Sequence, residues 1–439
     1  MMTFTFLALA GAVVAGLVTA FVTPAVRRVA LRRGWTDQPD GRRKTHKTPT
    51  ASVGGLAIVA GVAAGLPLVL WAAPTLGVAG TSVPMAALVG AALVVATGWY
   101  DDVRGLGFKA KLLVETGVAF LLMAAGYQLD LSVVPFIGDT PLYVIPITLL
   151  WIVGVMNAVN LIDGVDGLAS GVAMIAFLSM AMAFGFAGDV VLVLVALVFV
   201  GALAGFLVHN FNPASIFMGD SGSLFLGYAL VVYSLSGPTS ADPRLGLAVP
   251  ILALGLPLLD TALSMVRRGV GRRSICAPDR DHIHHRMVDR MGVKQAVLVL
   301  YAISALFGVL ALLASLSTWS GVTAVVVAAS SIVIGLLVRL GYVRLPYTPP
   351  QITSSNAAPT RAGKRLSGDG ATTGRRLPEL VTSDETDTAE SLPGDPSLAA
   401  AKPGGSLRIP SGEGRTLLTK TALDRRPASG GSAMDGEAR

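Results

Sequence analysis

Val208–Gly227, VHNFNPASIFMGDSGSLFLG, lies between two apolar runs and reads as a short polar loop at a membrane surface. Asn210, Asn212, Asp220, Ser221 and Ser223 fall within 14 residues of it, with glycines at 219 and 222. A lone carboxylate among small residues lets a metal ion approach side chain and backbone together. Mg²⁺ takes oxygen ligands, usually one or two carboxylates plus substrate phosphates, and Asp220 suits that role. The competing reading is a glycine-rich turn in which Asp220 or Ser221 caps the next helix. The other polar loops of the chain bear on the choice.

Outward from that stretch the chain is apolar. Of its 439 residues, 53% are hydrophobic and only 14% charged, outside the usual composition of soluble globular proteins. Apolar runs of about 17–25 residues are candidates to span a bilayer as helices. Eleven runs are expected, at about 4–26, 54–73, 84–100, 110–127, 141–157, 169–187, 189–208, 222–237, 246–266, 296–316 and 320–340. The expected fold is therefore an all-α polytopic membrane protein of about eleven transmembrane helices, with catalytic cytoplasmic loops. The first run has no basic residue ahead of it and no small-residue cleavage site, so it reads as a retained helix. Cys276 is the single cysteine and forms no internal disulfide. From about residue 346 Pro, Gly, Ser, Thr, Ala and charged residues dominate. The expected division is a membrane domain over 1–345 and a disordered cytoplasmic tail over 346–439, because such a tail buries too little apolar surface to offset its ordering entropy.

Orientation follows from Lys and Arg, which accumulate on the cytoplasmic side. The loops 27–53, 100–111 and 267–295 carry nineteen between them, and the loops on the opposite side carry one, Arg244. These three loops are read as cytoplasmic, at the face of a plasma (inner) membrane. The net charge of +7 is then a signal for topology and anionic ligands. It gives no support to nucleic-acid binding, since the basic residues are divided among membrane loops.

The cytoplasmic loops hold the chemistry. In Arg27–Gly55 the cluster Arg42, Arg43, Lys44, His46 and Lys47 suits anionic lipid, and Lys44, His46 and Lys47 also suit a phosphate or diphosphate. Trp99–Glu115, WYDDVRGLGFKAKLLVE, places Asp101 and Asp102 side by side at a membrane boundary, where acids are costly and tend to be functional. One of the pair serves as a base, or a cation holds both ionised. Lys111 and Glu115, four residues apart, are expected to pair across one helical turn, with Lys111 also able to reach a phosphate. Met156–Gly171, MNAVNLIDGVDGLASG, has no Lys or Arg but carries Asn157, Asn160, Asp163 and Asp166. On a helix Asn157, Asn160 and Asp163 share a face, and the glycine after each Asp permits a tight turn of the kind that binds metal or phosphate. In Arg267–Gly292, His282, His284 and His285 follow Asp279 and Asp281. Zinc is conceivable there, although histidines so crowded supply one ion with two ligands at most, and histidines among arginines better suit a diphosphate or sugar. Asp260, in GLPLLDTALSMVRR, is an acid within a membrane run, with structural and catalytic roles both open.

Asp101–Lys111, Asn157–Leu168, Asn212–Gly227, LPLLDT at Leu256–Thr261 and DRDHIHHRM at Asp279–Met287 together resemble the polyprenyl-phosphate N-acetylhexosamine-1-phosphate transferases (glycosyltransferase family 4) over about residues 20–340. The histidine run is most similar to the branch using UDP-N-acetylglucosamine. The alternative is the related phospho-N-acetylmuramoyl-pentapeptide transferase branch of peptidoglycan synthesis. The resemblance implies transfer of a phospho-sugar from a UDP-N-acetylhexosamine to polyprenyl phosphate, releasing UMP, with Mg²⁺ or alternatively Mn²⁺. It implies Asp220 and Asn160 as metal ligands and Asp101 or Asp102 acting on the acceptor phosphate. Asp163 and Asp166 would hold nucleotide or metal. Lys111 and Asn157 are also taken as substrate contacts, Phe217 is placed against uracil and His282–His285 against the donor. Ser215 departs from the family, which often has Lys there. Membrane lipid is a further partner, and a homodimer is compatible with this reading. A polytopic transporter of an anionic solute is the rival from another class. It predicts polar residues at mid-membrane and half-chain repeats, whereas the acidic motifs cluster at one face.

Overall fold

The computed structural model describes residues 2–38, 49–76, 83–132, 134, 138, 140–237, 243–270 and 282–339. Lys44 and His46, the rest of that basic cluster, Cys276, Asp279 to Asp281 and the 346–439 tail lie outside the described residues. The chain divides into two units, Met1–Gln351 and Ile352–Arg439, and the described residues all belong to the first.

That unit is helical. Its helices are α1 Met2–Arg33, α2 Gly55–Ala72, α3 Met85–Arg104, α4 Phe108–Ala124, α5 Pro141–Ile162, α6 Leu168–Phe186, α7 Val190–Asn210, α8 Asp220–Leu235, α9 Pro243–Ala253, α10 Gly255–Val270, α11 Ile283–Met291, α12 Val293–Leu316 and α13 Trp319–Arg339. A two-residue antiparallel ribbon pairs β1 (Thr36–Asp37) with β2 (Thr50–Ala51). Among the described residues seven helices are long and apolar enough to cross a membrane, and an eighth span results if the bent pair α9 and α10 counts as one. The protein is thus polytopic, but length and composition do not reach the expected eleven. The shortfall has physical causes. Helix α4 has 17 residues and includes Lys109, Lys111 and Glu115, and α8 has only 16. The expected run 246–266 is not continuous, because the chain bends by 73° between α9 and α10. Pro257 sits in the first turn of α10, where its missing N–H costs nothing.

Close helix contacts rest on small residues. A Cβ at Gly201 would overlap the Ala12 carbonyl oxygen, and one at Gly205 would overlap that of Gly16. The four-residue spacing of Gly201 and Gly205 lets the α7 and α1 backbones meet, as small residues do between membrane helices. Helix α6 packs on α7 and α12, and α8 packs on α3 and α5. The core includes Phe177, Phe184, Phe206, Ile152 and Met180, all fully buried. Phe21, Trp71 and Leu113 are more than 70% exposed, which suits an outer surface facing lipid tails.

Candidate active site

The start of α8 is built from three separate parts of the chain. Gly219 has φ +71°, and a Cβ there would lie 2.7 Å from both Asp102 carboxylate oxygens. With no side chain at 219, Asp102 of α3 reaches the exposed amides of the helix end. Its Oδ1 accepts from Asp220 N (2.8 Å) and its Oδ2 from Ser221 N (3.0 Å). The cap of α8 is therefore supplied by Asp102 from another helix, and neither Asp220 nor Ser221 performs it. Gly98 allows the same approach one turn earlier, where a Cβ would overlap the Asp220 carbonyl. Gly55 abuts Gly222, and Gly54 N and Gly55 N donate to Phe217 O (2.9 Å) and Met218 O (2.8 Å).

Freed from capping, the Asp220 side chain faces a charged network. Lys111 Nζ donates to Asp220 Oδ2 at 2.7 Å and to Asp101 Oδ2 at 3.0 Å. The expected Lys111–Glu115 pair is thereby replaced. Glu115, buried in α4, accepts from Asn157 Nδ2 instead. Two carboxylates on other helices hold Lys111, and a neighbour on its own turn offers less. Asp101 Oδ1 also accepts from Leu106 N. Asn160 Nδ2 donates to Asp220 Oδ1 (3.1 Å) and Ser223 Oγ (2.8 Å), so its amide oxygen is the atom left for a cation. Asn157 Nδ2 also reaches Val153 O at 2.9 Å.

The turn after α5 completes the acidic face. Burial, together with Asp220, Asp102 and Asp166, pushes the Asp163 carboxyl well above the ordinary carboxylate range. No described side chain or amide is hydrogen-bonded to that carboxylate in compensation. Asp166 is engaged differently: its Oδ2 accepts from Asn212 Nδ2 (2.8 Å) and Ala214 N (3.0 Å). Buried Asn210 ties the same two loops together, accepting from Gly167 N and donating to Ile216 O (3.0 Å). Tyr301 of α12 fixes Gly167 through its carbonyl at 2.5 Å. Phe217 is partly buried beside this junction, its N–H donating to Ala51 O at 2.8 Å. At position 215 the serine hydroxyl bonds His209 O, and Arg27 Nε donates to the Ser215 carbonyl at 2.8 Å.

The histidines divide between sites. His209 meets Ala20 O at 2.9 Å and links α7 to α1. His282, His284 and His285 lie at the start of α11. Burial beside His284 and His282 brings the His285 imidazole down to about 4, which leaves it neutral at neutral pH. Asp260, His282 and His284 offer ligand atoms within 4.8 Å of one another, a grouping able to hold a metal ion. Asp260 and Glu115 are the acids that sequence reasoning left without a place in the site. The costly placement of Asp260 within an apolar run was the available signal.

An all-helical polytopic membrane protein with converging Asp, Asn, Lys and His side chains is the class this geometry defines. The family model for glycosyl transferase family 4 matches residues 84–237. The chain is 38% identical over 312 residues to a probable undecaprenyl-phosphate N-acetylglucosaminyl 1-phosphate transferase of Bacillus subtilis (strain 168), covering 70% of this chain and 85% of the relative. It is 35% identical over 323 residues to a decaprenyl-phosphate N-acetylglucosaminephosphotransferase of Mycolicibacterium smegmatis, covering 67% and 79%. It is 27% identical over 304 residues to an undecaprenyl-phosphate alpha-N-acetylglucosaminyl 1-phosphate transferase of Escherichia coli (strain K12), covering 66% and 79%. The chain belongs to glycosyl transferase family 4.

Proposed function

We propose that this protein transfers N-acetylglucosamine 1-phosphate from UDP-N-acetylglucosamine to polyprenyl phosphate at the cytoplasmic face of the membrane, releasing UMP. The observation that carries the reading is the convergence of Asp101, Asp220, Asn160 and Lys111 from four helices. The relatives' names supply the substrate class. In the reaction, an oxygen of the acceptor phosphate attacks the sugar-bearing phosphorus of the donor. The bond from that phosphorus to the bridging oxygen breaks, and the electron pair leaves with UMP.

The donor set around Asp220 is carboxylate and amide oxygen, which suits Mg²⁺. Asp163, its carboxylate without a hydrogen-bond partner among the described residues and pressed by three others, fits a cation as well. Asp220, Asp163 and the Asn160 amide oxygen are the residues that would hold the ion. When bound, it neutralises phosphoryl charge. Lys111 lies where it also meets phosphate oxygens, and Asp101, beside it, orients the acceptor. Positioning and charge neutralisation account for most catalysis in phosphoryl transfer. His284 and His285 face the turn at Gly164 and are assigned to the donor. The catalytic unit is assigned to residues 1–345, with the tail dispensable for transfer.

The test is purified protein with undecaprenyl phosphate, Mg²⁺ and a panel of UDP-sugars, with UMP release as the readout. UDP-N-acetylglucosamine should support turnover best. Asp220→Asn, in inserted and folded protein, should lower the rate by about 100-fold or more through loss of preorganised charge. Release of UMP at ordinary rates by that variant would overturn the assignment of Asp220.

A further inference from the structure

Asp260 has no part in the acidic cluster around Asp220, yet it is an ionisable group 3% exposed among apolar helices. Such a group persists where its partners compensate for lost hydration. Both oxygens have partners on α11. Oδ1 accepts from Ile283 N at 2.6 Å, and Oδ2 meets His284 Nδ1 at 2.5 Å. His282 Nδ1 is farther from the same Oδ2, at 3.4 Å. Two atoms bound to one tetrahedral zinc at ~2.0–2.1 Å would sit about 3.3 Å apart. The His284–Asp260 separation is instead that of a short charge-assisted hydrogen bond.

Once Nδ1–H is given to Asp260, Nε2 is the nitrogen His284 has left to offer. That atom is buried and has no hydrogen-bond partner among the described residues, which in a native interior asks for an explanation. It faces Gly164: a Cβ built there would lie 3.3 Å from His284 Nε2. Gly164 is the residue between Asp163 and the turn to Asp166. Any side chain at 164 would fill the side of Nε2 that faces the acidic loop.

We propose that Asp260 is a positioning residue, which through His284 Nδ1 fixes the ring so that Nε2 meets a phosphate oxygen of the nucleotide-sugar donor beside Gly164. The inference rests on the donor reading above. A ring that donates from both nitrogens carries a positive charge, and Asp260 is the counter-charge that supports it when phosphate binds. The Asp260 bond to Ile283 N places the start of α11 at the same time, so one carboxylate sets both the position and the rotation of the imidazole. The contact joins α11 to α10, the arm that follows the bend after α9.

The test measures donor and acceptor kinetics separately for full-length Asp260→Asn, Asp260→Glu, His284→Ala and the double variant Asp260→Asn/His284→Ala. Removing a carboxylate that orients an imidazole typically costs about 10- to 100-fold. Asp260→Asn should lower kcat/KM for UDP-N-acetylglucosamine by that much and shift the KM for polyprenyl phosphate less than about twofold. The double variant should be no worse than His284→Ala alone, since both remove one function. Asp260→Glu, which keeps an acceptor, should recover part of the loss. Wild-type donor kinetics in Asp260→Asn, multiplied losses in the double variant, or equal damage to both substrates would overturn the proposal. If Asp260→Asn does not insert stably, the Asp260→Glu and His284→Ala kinetics decide by the same donor-against-acceptor split. Stoichiometric zinc in the wild type, lost in Asp260→Asn, would also overturn it in favour of a metal site. A wild type that releases UMP from no UDP-sugar sinks the donor reading itself, a result distinct from all of these.

Discussion

Lys111 is held between two carboxylates that the proposed chemistry needs, and that placement gives its removal two opposite effects. Its ammonium neutralises Asp101 and Asp220 and competes with any cation for Asp220 Oδ2. Lys111→Met should therefore lower the transfer rate while lowering the Mg²⁺ concentration for half-maximal rate. A Mg²⁺ titration of UMP release reads both, and an unchanged or raised half-saturation would show that ion and ammonium do not share the carboxylate. Asp163 provides a second test, on stability. Its carboxyl is raised by burial and neighbouring carboxylates, so the folded state keeps a proton that the unfolded chain releases as pH rises past about 4. The resulting loss of stability is absent below about 4, grows as pH rises from there to the raised value, and is complete above it. Without divalent cations, Asp163→Asn should be more thermostable than wild type at alkaline pH, equal to it near pH 4, and impaired in transfer. Melting curves across pH check this, and a pH-independent difference would refute it. These acids could be picked out in sequence because polar side chains in short glycine-rich loops are conspicuous against apolar runs. Their partners could not. Whether Lys111 pairs with Glu115 four residues on or with Asp220 more than a hundred residues away depends on helix crossings that no local pattern encodes.

At the scale of elements, the site depends on backbones brought together by missing side chains. Helix α7 meets α1 at Gly201 and Gly205, and α7 leads directly into the loop that precedes Asp220. Gly201→Leu or Gly205→Leu should cost about 1–3 kcal/mol through overpacking, seen as a lower melting temperature in detergent. Gly154→Ala on α5 is the control, since a Cβ there meets nothing within 4 Å. Equal melting temperatures for the α7 variants and the control would mean that this contact does not hold α1. Most helices were legible as apolar runs of the right length. The break between α9 and α10 was less so: its apolar composition continues through the bend, and Pro257 marks the neighbourhood without fixing whether the run kinks or divides. The capping of α8 was hidden for a related reason, because the cap comes from Asp102 on α3, at a crossing made possible by Gly98 and Gly219.

At the scale of the whole molecule, every group assigned to the reaction must lie on one side of the bilayer. Asp101 and Lys111 flank the junction of α3 and α4, Asn160 and Asp163 end α5, Asp220 begins α8, and His284 lies beside the Asp163–Asp166 turn. Their hydrogen bonds and contacts place these element ends together independently of any charge rule. The cytoplasmic side proposed for these ends rests on the distribution of Lys and Arg. The connection from α4 to α5, residues 125–140, contains neither Lys nor Arg, and its acids are Asp130 and Asp139. It belongs to the opposite side if α4 crosses the membrane; α4, like α8, is shorter than the seven full-length spans, with 17 residues including Lys109, Lys111 and Glu115. A reporter fused at Asp130 tests this helix directly. It should read as external, while one inserted at Gly105 or fused after Pro346 should read as cytoplasmic. An Asp130 reporter on the cytoplasmic side would make α4 an interfacial helix. With α5 still crossing, its end at Asn160 and Asp163 would then lie opposite Asp101 and Lys111, so that result would contradict the hydrogen bonds that join Asn160, Asp220, Lys111 and Asp101.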